Sequence, residues 1–570
     1  MNAVDIAARG LAQRALQSDR SLASPLGAAQ VGAADGRTVQ DAIGFATVAE
    51  LLGSAAPSRG GGALWRAGGF YYTEAPADAA DHHLQTAAGV KLYVEPQVPM
   101  RGFHAGAFGA RTLEPDEFGD TLAEAANAAA NNAAIQAALD AAAARNWEVL
   151  FDAGTYCYSA EFTCDKPIGI LGRGWSATVF QPASDYSGWF MGFTEVHYND
   201  ADAAADYTQD RSALRLRDFS VQCRDGRSAT EQQHGIRFIG RCDRMIIGSV
   251  FFSYLAGTAL HFGHMNGDPD TVAYARECMI SNVEARWCGD DTAQRPVFVF
   301  DNYGTVPAQD GCNLCVCDRL WAIFPYFTGL HIVNNNPSGA QVRRMAFNNV
   351  LVHGVAAMEP VQVTTAPLIH IEGKALLCVF RDLWFNSHYA GQYGVQVDAN
   401  ASGTPALISF EGGNISTGDG HGFNFQAGYG FTVDFQLWGQ AGTGITVGPG
   451  VGPVSVGQAS GQVPSLSIAP GMEKMVNCVW ASTASLPVRS EKFVLGPNAN
   501  APSINYFGGN PSANVTANAG SLSLNTAGLG QLNSSTLAVK VSGAGATGWA
   551  YLQEVIGGTT AQRPASPTAN

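Results

Sequence analysis

Three acidic residues close a short phrase that recurs along the chain. In "FVFDN", "IHIEG" and "VQVDA", apolar and polar residues alternate before Asp301, Glu372 and Asp398. Two carboxylates held about 5 to 9.5 Å apart can act as acid and as nucleophile or base when a glycosidic bond is broken. His331 and His370 lie near the centre of two copies and could orient a substrate or carry a proton. These residues are candidates for catalysis, provided that the fold aligns the copies.

The same residue types also have a structural interpretation. A carboxylate at the end of a strand commonly accepts hydrogen bonds from turn amides. Other acids compete for the catalytic role: Glu284 is expected to face outward beside Arg286 and Trp287, while Glu359 and Glu411 remain open.

The phrase belongs to a repeat. A second β-rich phrase precedes it in each copy, and its equivalent positions are separated by about 30 to 37 residues: Phe219, Val250, Val283, Leu320, Val350 and Leu383. Repeats of this length with short strands and no helix are typical of one turn of a parallel β-solenoid. The sequence does not have the Leu and Asn spacing of leucine-rich repeats. Propeller blades would need four strands per repeat.

A solenoid would stack equivalent residues about 4.8 Å apart. Ile369 and Ile371 then join inward stacks with the apolar residues of the other copies. Glu372 and Asp398 become neighbours one turn apart, and Asp301 lies two turns from Glu372, about 10 Å away. Repulsion between neighbouring carboxylates is expected to raise the pKa of one member of the Glu372–Asp398 pair.

Two tryptophans are predicted to face outward two turns apart. Trp321 and Trp384 occupy equivalent positions of this second phrase, with Leu351 between them. Flat apolar faces beside hydrogen-bonding groups suit sugar binding. A subunit interface would bury the same stripe, so both interpretations stay open.

The regions outside the repeat have different compositions. Residues 1–110 are Ala- and Gly-rich and suggest a small mixed domain, and residues 111–165 contain a strong helix followed by the first strands. The helix face is expected to include Ala126, Ala130, Ala133, Ile135 and Leu139. Residues 166–450 form the predicted solenoid, and residues 451–570 suggest a β-rich terminal domain with a polar tail.

Composition limits the partners. The chain has 570 residues, is 46% hydrophobic and carries a formal charge of −15, so nucleic acid is an improbable partner. No apolar run reaches the length of a membrane span, and the start lacks the apolar core of a signal peptide. The cluster "CNLCVC" has no second Cys or His pair at zinc-finger spacing, so we expect buried thiols and neither a metal nor another cofactor.

Two stretches resemble a known family. "AIQAALDAAAARNWEVLFDAGTYCYS" with "IGILGRGWSATVF" resembles the start of pectate-lyase-like right-handed parallel β-helices, where a helix caps the solenoid. "SLASPLGAAQVGAADGRTVQDAI" resembles the particle-binding start of bacteriophage tailspikes. The stretch before the helix is longer and poorer in Asp than the common pattern, which leaves the first turn of the solenoid undefined.

The resemblance implies an all-β fold: a right-handed parallel β-helix with a small N-terminal virion-binding domain, a capping helix and a β-rich C-terminal domain. It implies a homotrimer that assembles in the host cytoplasm, joins phage tail or baseplate proteins through its N-terminal domain, and acts at the host cell surface. There it would bind, and often cleave, a bacterial capsule or lipopolysaccharide. The family has no universal catalytic motif, so no active residue is transferred.

Three functions follow. Hydrolysis of the glycan is favoured because paired carboxylates are available. A non-enzymatic spike would use the same groove only to adhere. A lyase would need a base at C5 of a uronic acid and a cation or Arg to neutralise the carboxylate of that sugar. Arg237, Arg286 and Arg381 could serve, but no calcium-type cluster of Asp residues stands out in the sequence.

Overall fold

The computed structural model describes most of residues 44–478 and short strands beyond. The described residues are 44–96, 102–194, 214–223, 232–265, 273–304, 312–338, 341–354, 365–386, 389, 391–418, 420–440, 442–458, 466–470, 472, 476–478, 491–494, 503–507, 522–525, 537–540 and 549–552. The tailspike-like start at residues 21–43, the candidate Glu359 and the polar tail lie outside this set. Two compact units result, one of residues 1–192 and 201–224 and one of residues 193–200 and 225–570.

The described part of the chain is nearly all β. Its helices are Val48–Leu52, the 3-10 turn Ala105–Phe108 and Thr121–Ala143. Before residue 225 the strands are Leu64–Ala67, Phe70–Glu74, Leu84–Gln85, Lys91–Val94, Gly102–His104, Glu148–Leu150, Gly154–Tyr158, Phe162–Cys164, Gly169–Leu171, Thr178–Pro182, Gly188–Thr194 and Arg215–Gln222. No helix among the described residues is both long and apolar enough to cross a membrane.

The first unit begins with a four-stranded antiparallel sheet. Leu64–Ala67 and Phe70–Glu74 form a hairpin that turns at Gly68 and Gly69. Both glycines have positive φ, 55° and 88°, as a tight hairpin turn requires. Parallel pairing starts with Gly102–His104, which lies beside Glu148–Leu150.

The long helix Thr121–Ala143 covers the edge of these first parallel strands. Its N-cap is Asp120, whose side chain accepts hydrogen bonds from the two amides at 122 and 123. Asn127 and Asn131 are fully buried on its inner face. Asn127 accepts a hydrogen bond from the Cys157 amide at 3.0 Å, and Asn131 donates to the Cys157 carbonyl at 3.1 Å. The strand that contains Cys157 has a helix, and not another strand, on this side. The side-chain amides of Asn127 and Asn131 therefore make the hydrogen bonds that a neighbouring strand would otherwise make.

The predicted helix was therefore confirmed, but its predicted face was wrong in part. Ile135 and Leu139 are buried, whereas Ala126, Ala130 and Ala133 are exposed. The inner face contains both apolar side chains and the side-chain amides of asparagine. Both are needed because this face packs on apolar residues and also makes hydrogen bonds to a strand edge.

The second unit is a parallel β-helix in which each turn, or rung, gives a strand to each of two main walls. Wall A consists of Ile246–Ser253, Met279–Arg286, Val316–Ile323, Ala346–Asn348, Leu351–His353, Val379–Arg381, Trp384–Asn386, Ser409–Gly418, Phe431–Gln440, Val454–Gln458 and Val476–Cys478. Wall B consists of Gln233–Ile239, Leu260–His264, Phe298–Asn302, Leu330–Asn334, Ile369–Glu372, Tyr393–Asp398, His421–Phe425, Ile445–Val447 and Leu466–Ile468. A third side has the short strands Arg241–Asp243, Tyr274–Arg276, Val342–Arg343 and Ala375–Leu376.

The register confirms the predicted stacks. On wall B, Ile371 pairs with Ile332 on one side and with Val397 on the other. The rings of Phe262 and Phe300 are parallel at 4.7 Å in the interior. The fold is the predicted all-β parallel β-helix.

The corners of the β-helix use left-handed backbone conformations at non-glycine residues. Three columns have φ between 51° and 58°: one from Arg244 to Leu407, one from Ser249 to Asp382, and one of Tyr254, Trp287 and Phe324. Each such residue costs about 1–2 kcal/mol. Their amides still bond to the next rung, as at Tyr254 to Arg286 (3.0 Å), so the hydrogen-bond ladder continues around the corner.

The predicted burial of the clustered thiols was confirmed. Cys312, Cys315 and Cys317 are free thiols with fully buried side chains, and burial raises the pKa of Cys312 and Cys317 well above the ordinary thiol value. Beyond the β-helix, five short strands form one mixed sheet: Glu491–Val494, Ser503–Phe507, Leu522–Asn525, Leu537–Lys540 and Trp549–Leu552.

Replacing Asn131 with alanine should destabilise the first unit. The change removes the hydrogen bond that Asn131 donates to the buried Cys157 carbonyl, which should lower the free energy of unfolding by about 1–3 kcal/mol. Chemical denaturation followed by circular dichroism measures this loss. Asn132→Ala is the control, because Asn132 is only half-buried and water can replace both of its hydrogen bonds with Ser159. An equal loss in both variants would contradict a special role of the buried Asn131.

Candidate active site

Wall B aligns the three candidate acids in one column. Asp301 pairs with Val333, Val333 with Glu372, and Glu372 with Asp398. Glu372 and Asp398 are thus one rung apart, and Asp301 is two rungs from Glu372, as the repeat predicted. Two strand spacings amount to about 9–10 Å.

A column of imidazoles runs beside the acids. His331 pairs in register with His370, and their rings stack at 5.0 Å with an interplanar angle of 5°. Each imidazole approaches the acid of the next rung: His331 Nε2 lies 3.4 Å from Glu372 Oε2, and His370 Nε2 lies 2.9 Å from Asp398 Oδ2. The same diagonal recurs more loosely between His261 and Asp301, at 3.9 Å.

Asp301 is the buried member of the column. Only 8% of the residue is exposed, and both of its carboxylate oxygens lie 3.1 Å from the Asn335 amide nitrogen. Burial raises the pKa of Asp301 to about 7, against the lowering effects of the Asn335 hydrogen bond and the charge of His331. Near neutral pH this carboxyl can therefore hold a proton.

Glu372 and Asp398 have the opposite electrostatics. Contact with the His331 imidazole lowers the pKa of Glu372. Burial alone would raise the pKa of Asp398, but hydrogen bonds from His370 and from Gln396, at 2.6 Å, lower it instead. The expectation that repulsion raises the pKa of one member of this pair was wrong, because each carboxylate has its own imidazole partner.

Three further histidines lie on the same wall as Asp301: His234 is buried, and His261 and His264 are half-buried. Burial lowers the pKa of His234, His261 and His264 to about 3 each. His234 Nδ1 also accepts a hydrogen bond from the Thr258 amide at 3.0 Å, so protonation there would break a buried bond. These imidazoles are neutral at physiological pH.

The tryptophan candidates lie on the other wall. Glu284, Trp321, Leu351 and Trp384 form one column of wall A, as predicted. They are therefore on a different sheet from the acids, and one chain does not unite the two sets in a single column. Trp384 is 50% exposed.

Glu284 lies in this outward column but is covered. It is 4% exposed, and its carboxylate accepts a hydrogen bond from Arg286 Nε. Trp287 stacks on Tyr254 at 4.8 Å and belongs to a corner column. Of the other rivals, Glu411 is exposed and paired with Arg381 at 3.3 Å.

The sequence reasoning missed one arrangement on wall B. The side-chain ligand atoms of His331, His370 and Glu372 all lie within 4.8 Å of one another, the one metal-type group found among the described residues. The available signal was a histidine at the same position of two consecutive phrases, the second followed two residues later by an acid.

Comparisons with known proteins give structural similarity alone. No protein-family model and no curated protein matches the sequence. The chain is structurally similar to phage tailspikes. The tailspike of Acinetobacter phage vB_ApiP_P1 shares 12% identity over 90% of both chains with a TM-score of 0.46. The enzymatically active domain of bacteriophage CBA120 tailspike protein 2 shares 12% identity, covering 85% of this chain and 68% of that one, with a TM-score of 0.46.

A second kind of similar structure is a glycoside hydrolase. The catalytic domain of a GH87 alpha-1,3-glucanase, solved with tetrasaccharides, shares 14% identity, covering 70% of this chain and 74% of that one, with a TM-score of 0.40.

The histidines with lowered pKa values should make the free energy of unfolding depend on pH. A histidine whose pKa is lowered on folding stabilises the protein above its unfolded pKa of about 6.5, and this contribution is lost as pH falls toward about 3. The unfolding free energy of the wild type should fall as pH decreases from 6.5 to 4. In His234→Asn this slope should be smaller by up to about 1.4 kcal/mol per pH unit. Urea denaturation at several pH values measures the slope; Gln233→Asn, a neighbouring buried change without titration, is the control. An unchanged slope in His234→Asn would refute the assignment.

Proposed function

We propose that this protein is a homotrimeric phage tailspike that binds and hydrolyses a bacterial surface polysaccharide, a capsule or a lipopolysaccharide O-antigen. The observation that supports hydrolysis is the buried carboxyl of Asp301, with a pKa of about 7, two rungs from the ionised carboxylate of Glu372. The similarity of residues 21–43 to virion-binding starts supports attachment to the phage tail.

In this proposal Asp301 is the general acid. Its proton passes to the glycosidic oxygen as the bond from that oxygen to the anomeric carbon breaks. Asn335, at 3.1 Å, holds the carboxyl in place. Glu372 is the base: it takes a proton from a water molecule whose oxygen bonds to the anomeric carbon from the opposite face.

The spacing favours inversion of the anomeric centre. Inverting enzymes separate their carboxyls by about 6.5–9.5 Å so that water fits between them. Two rungs give about 9–10 Å between backbones, and side-chain orientation can reduce that. The closer pair, Glu372 and Asp398, would suit a retaining mechanism by distance, but both members have lowered pKa values and neither supplies a proton near neutral pH.

The wall A residues are assigned a different role. Met279 and Trp384 are 60% and 50% exposed. Because they lie on another sheet from the acids, we assign this face to the contacts between chains of the homotrimer.

Asp301→Asn and Glu372→Gln should each lower kcat by about 100- to 10,000-fold, because each removes one proton transfer. New reducing ends on host polysaccharide measure the rate, and NMR of the first product gives its anomer. The wild-type rate should also fall as pH rises past about 7, as Asp301 loses its proton. Glu411→Gln, an exposed acid on wall A, is the control.

The same assay separates the alternatives. Binding of host glycan without any new reducing end would replace hydrolysis by adhesion. An unsaturated sugar product would indicate a lyase. Full activity in Asp301→Asn would remove Asp301 as the acid.

Trp384→Ala should weaken assembly and leave catalysis unchanged. An interface tryptophan commonly contributes about 2 kcal/mol or more to association, so the variant should dissociate at higher concentration than the wild type. Analytical ultracentrifugation measures assembly, and kcat and KM are measured on assembled protein. Leu122→Ala, at a residue 80% exposed on the long helix, is the control; a raised KM with normal assembly would instead identify Trp384 as a sugar-binding residue.

A further inference from the structure

Two imidazoles and one carboxylate converge on wall B. His331 and His370 come from successive rungs with parallel rings, and Glu372 follows His370 on the same strand. Their ligand atoms lie within 4.8 Å of one another. The 3.4 Å between His331 Nε2 and Glu372 Oε2 matches the separation of about 3.4 Å between two ligands of a tetrahedral ion with bonds of about 2.0–2.1 Å.

The donor types select a class of ion. Calcium and magnesium take oxygen ligands, whereas imidazole nitrogens suit zinc and its neighbours in the first transition row. Two histidines with one carboxylate is a donor set that proteins use for zinc with a fourth position left open.

His331 Nε2 has a charged neighbour but no well-formed hydrogen bond. The atom is buried, and its partner in the ion pair, Glu372 Oε2, lies 3.4 Å away without hydrogen-bonding geometry. Buried polar atoms in native proteins are usually satisfied, so an unsatisfied imidazole nitrogen aimed at a carboxylate is consistent with a cation between them.

The surroundings would hold these ligands in place. Asp398 Oδ2 lies 2.9 Å from His370 Nε2, which puts a second carboxylate beside the group. Gln396 donates to Asp398 at 2.6 Å, and Asn400 interacts with Glu372. Such outer partners orient metal ligands and raise affinity.

We propose that His331, His370 and Glu372 form a binding site for a divalent transition metal ion of the zinc class, with Asp398 as its neighbouring carboxylate. The longest ligand separation, up to 4.8 Å, must shorten by up to about 1.4 Å when the ion binds, because two ligands of one zinc ion lie about 3.4 Å apart. The site shares Glu372 with the proposed hydrolytic reaction, so bound zinc should block the base. That consequence rests on the proposed function, whereas metal binding itself does not.

Zinc binding is tested on the full-length protein with Zn²⁺ alone, without glycan. Isothermal titration and metal analysis after dialysis should give one zinc per chain, and a tenfold excess of Ca²⁺ should leave it bound. The double variant with His331→Gln and His370→Gln should bind at least 100-fold more weakly, since losing even an outer partner costs about 10–100-fold. Glu372→Gln, which keeps the size of the side chain, should also bind more weakly.

His82→Gln is the matched control, because His82 belongs to the other unit. It should bind zinc as the wild type does. Circular dichroism and the melting temperature show whether each variant is folded, and zinc should raise the melting temperature of the wild type and not of the double variant. Equal zinc affinity in the wild type and the double variant, or no zinc bound by the wild type, would overturn the proposal.

Hydrolysis assays then separate the two proposals. Zinc that binds at the site and inhibits hydrolysis supports both. Zinc that binds to a protein with no hydrolytic activity supports the metal site and refutes the hydrolase.

Discussion

The hydrogen-bond register between successive rungs is the constraint on which the structure depends. A parallel ladder fixes each residue beside its equivalent about 4.8 Å away, and a slip of one residue would exchange the inner and outer faces of a strand. Inward residues such as Phe262 and Phe300 then form continuous stacks. Outward residues form columns by the same rule, which is why the contact between His331 and Glu372 recurs one rung later between His370 and Asp398.

One column nevertheless holds acids in different states. Asp301 is almost fully buried and its nearest imidazole contact is long, at 3.9 Å, so desolvation dominates and its pKa rises. Glu372 and Asp398 are more exposed and each has a close imidazole, so their charged forms are stabilised. The register brings the acids together, and local burial and contacts then shift their pKa values in opposite directions.

The spacing of the repeated phrase was enough to predict the parallel β-helix. It also predicted the register of the acid column and of the imidazole column on wall B. Strand side chains alternate between two faces, so five residues with the pattern of Ile369 to Gly373 specify which side chains meet. The predicted neighbours Glu372 and Asp398 are neighbours in the structure.

Burial could not be predicted from that pattern. Glu284 has the same alternation as an exposed acid but is covered, because Arg286 folds back onto it. Asn131 is absent from the predicted inner face of the alanine-rich helix, yet it faces a strand edge that needs hydrogen bonds. Both errors concern packing across elements that are distant in the sequence, which local periodicity does not contain.

The ionised carboxylates of Glu372 and Asp398 make the site favourable for a positive charge. Two unit charges about 5 Å apart repel by ~3 kcal/mol at an effective dielectric constant of about 20. His331, His370 and Gln396 offset part of this repulsion in the free protein. A divalent cation would offset it further, and so would the positive charge that develops on the sugar ring in the transition state of glycoside hydrolysis. Since that charge appears only as the bond breaks, the relief of repulsion would favour the transition state over the bound glycan, which is the condition for catalysis.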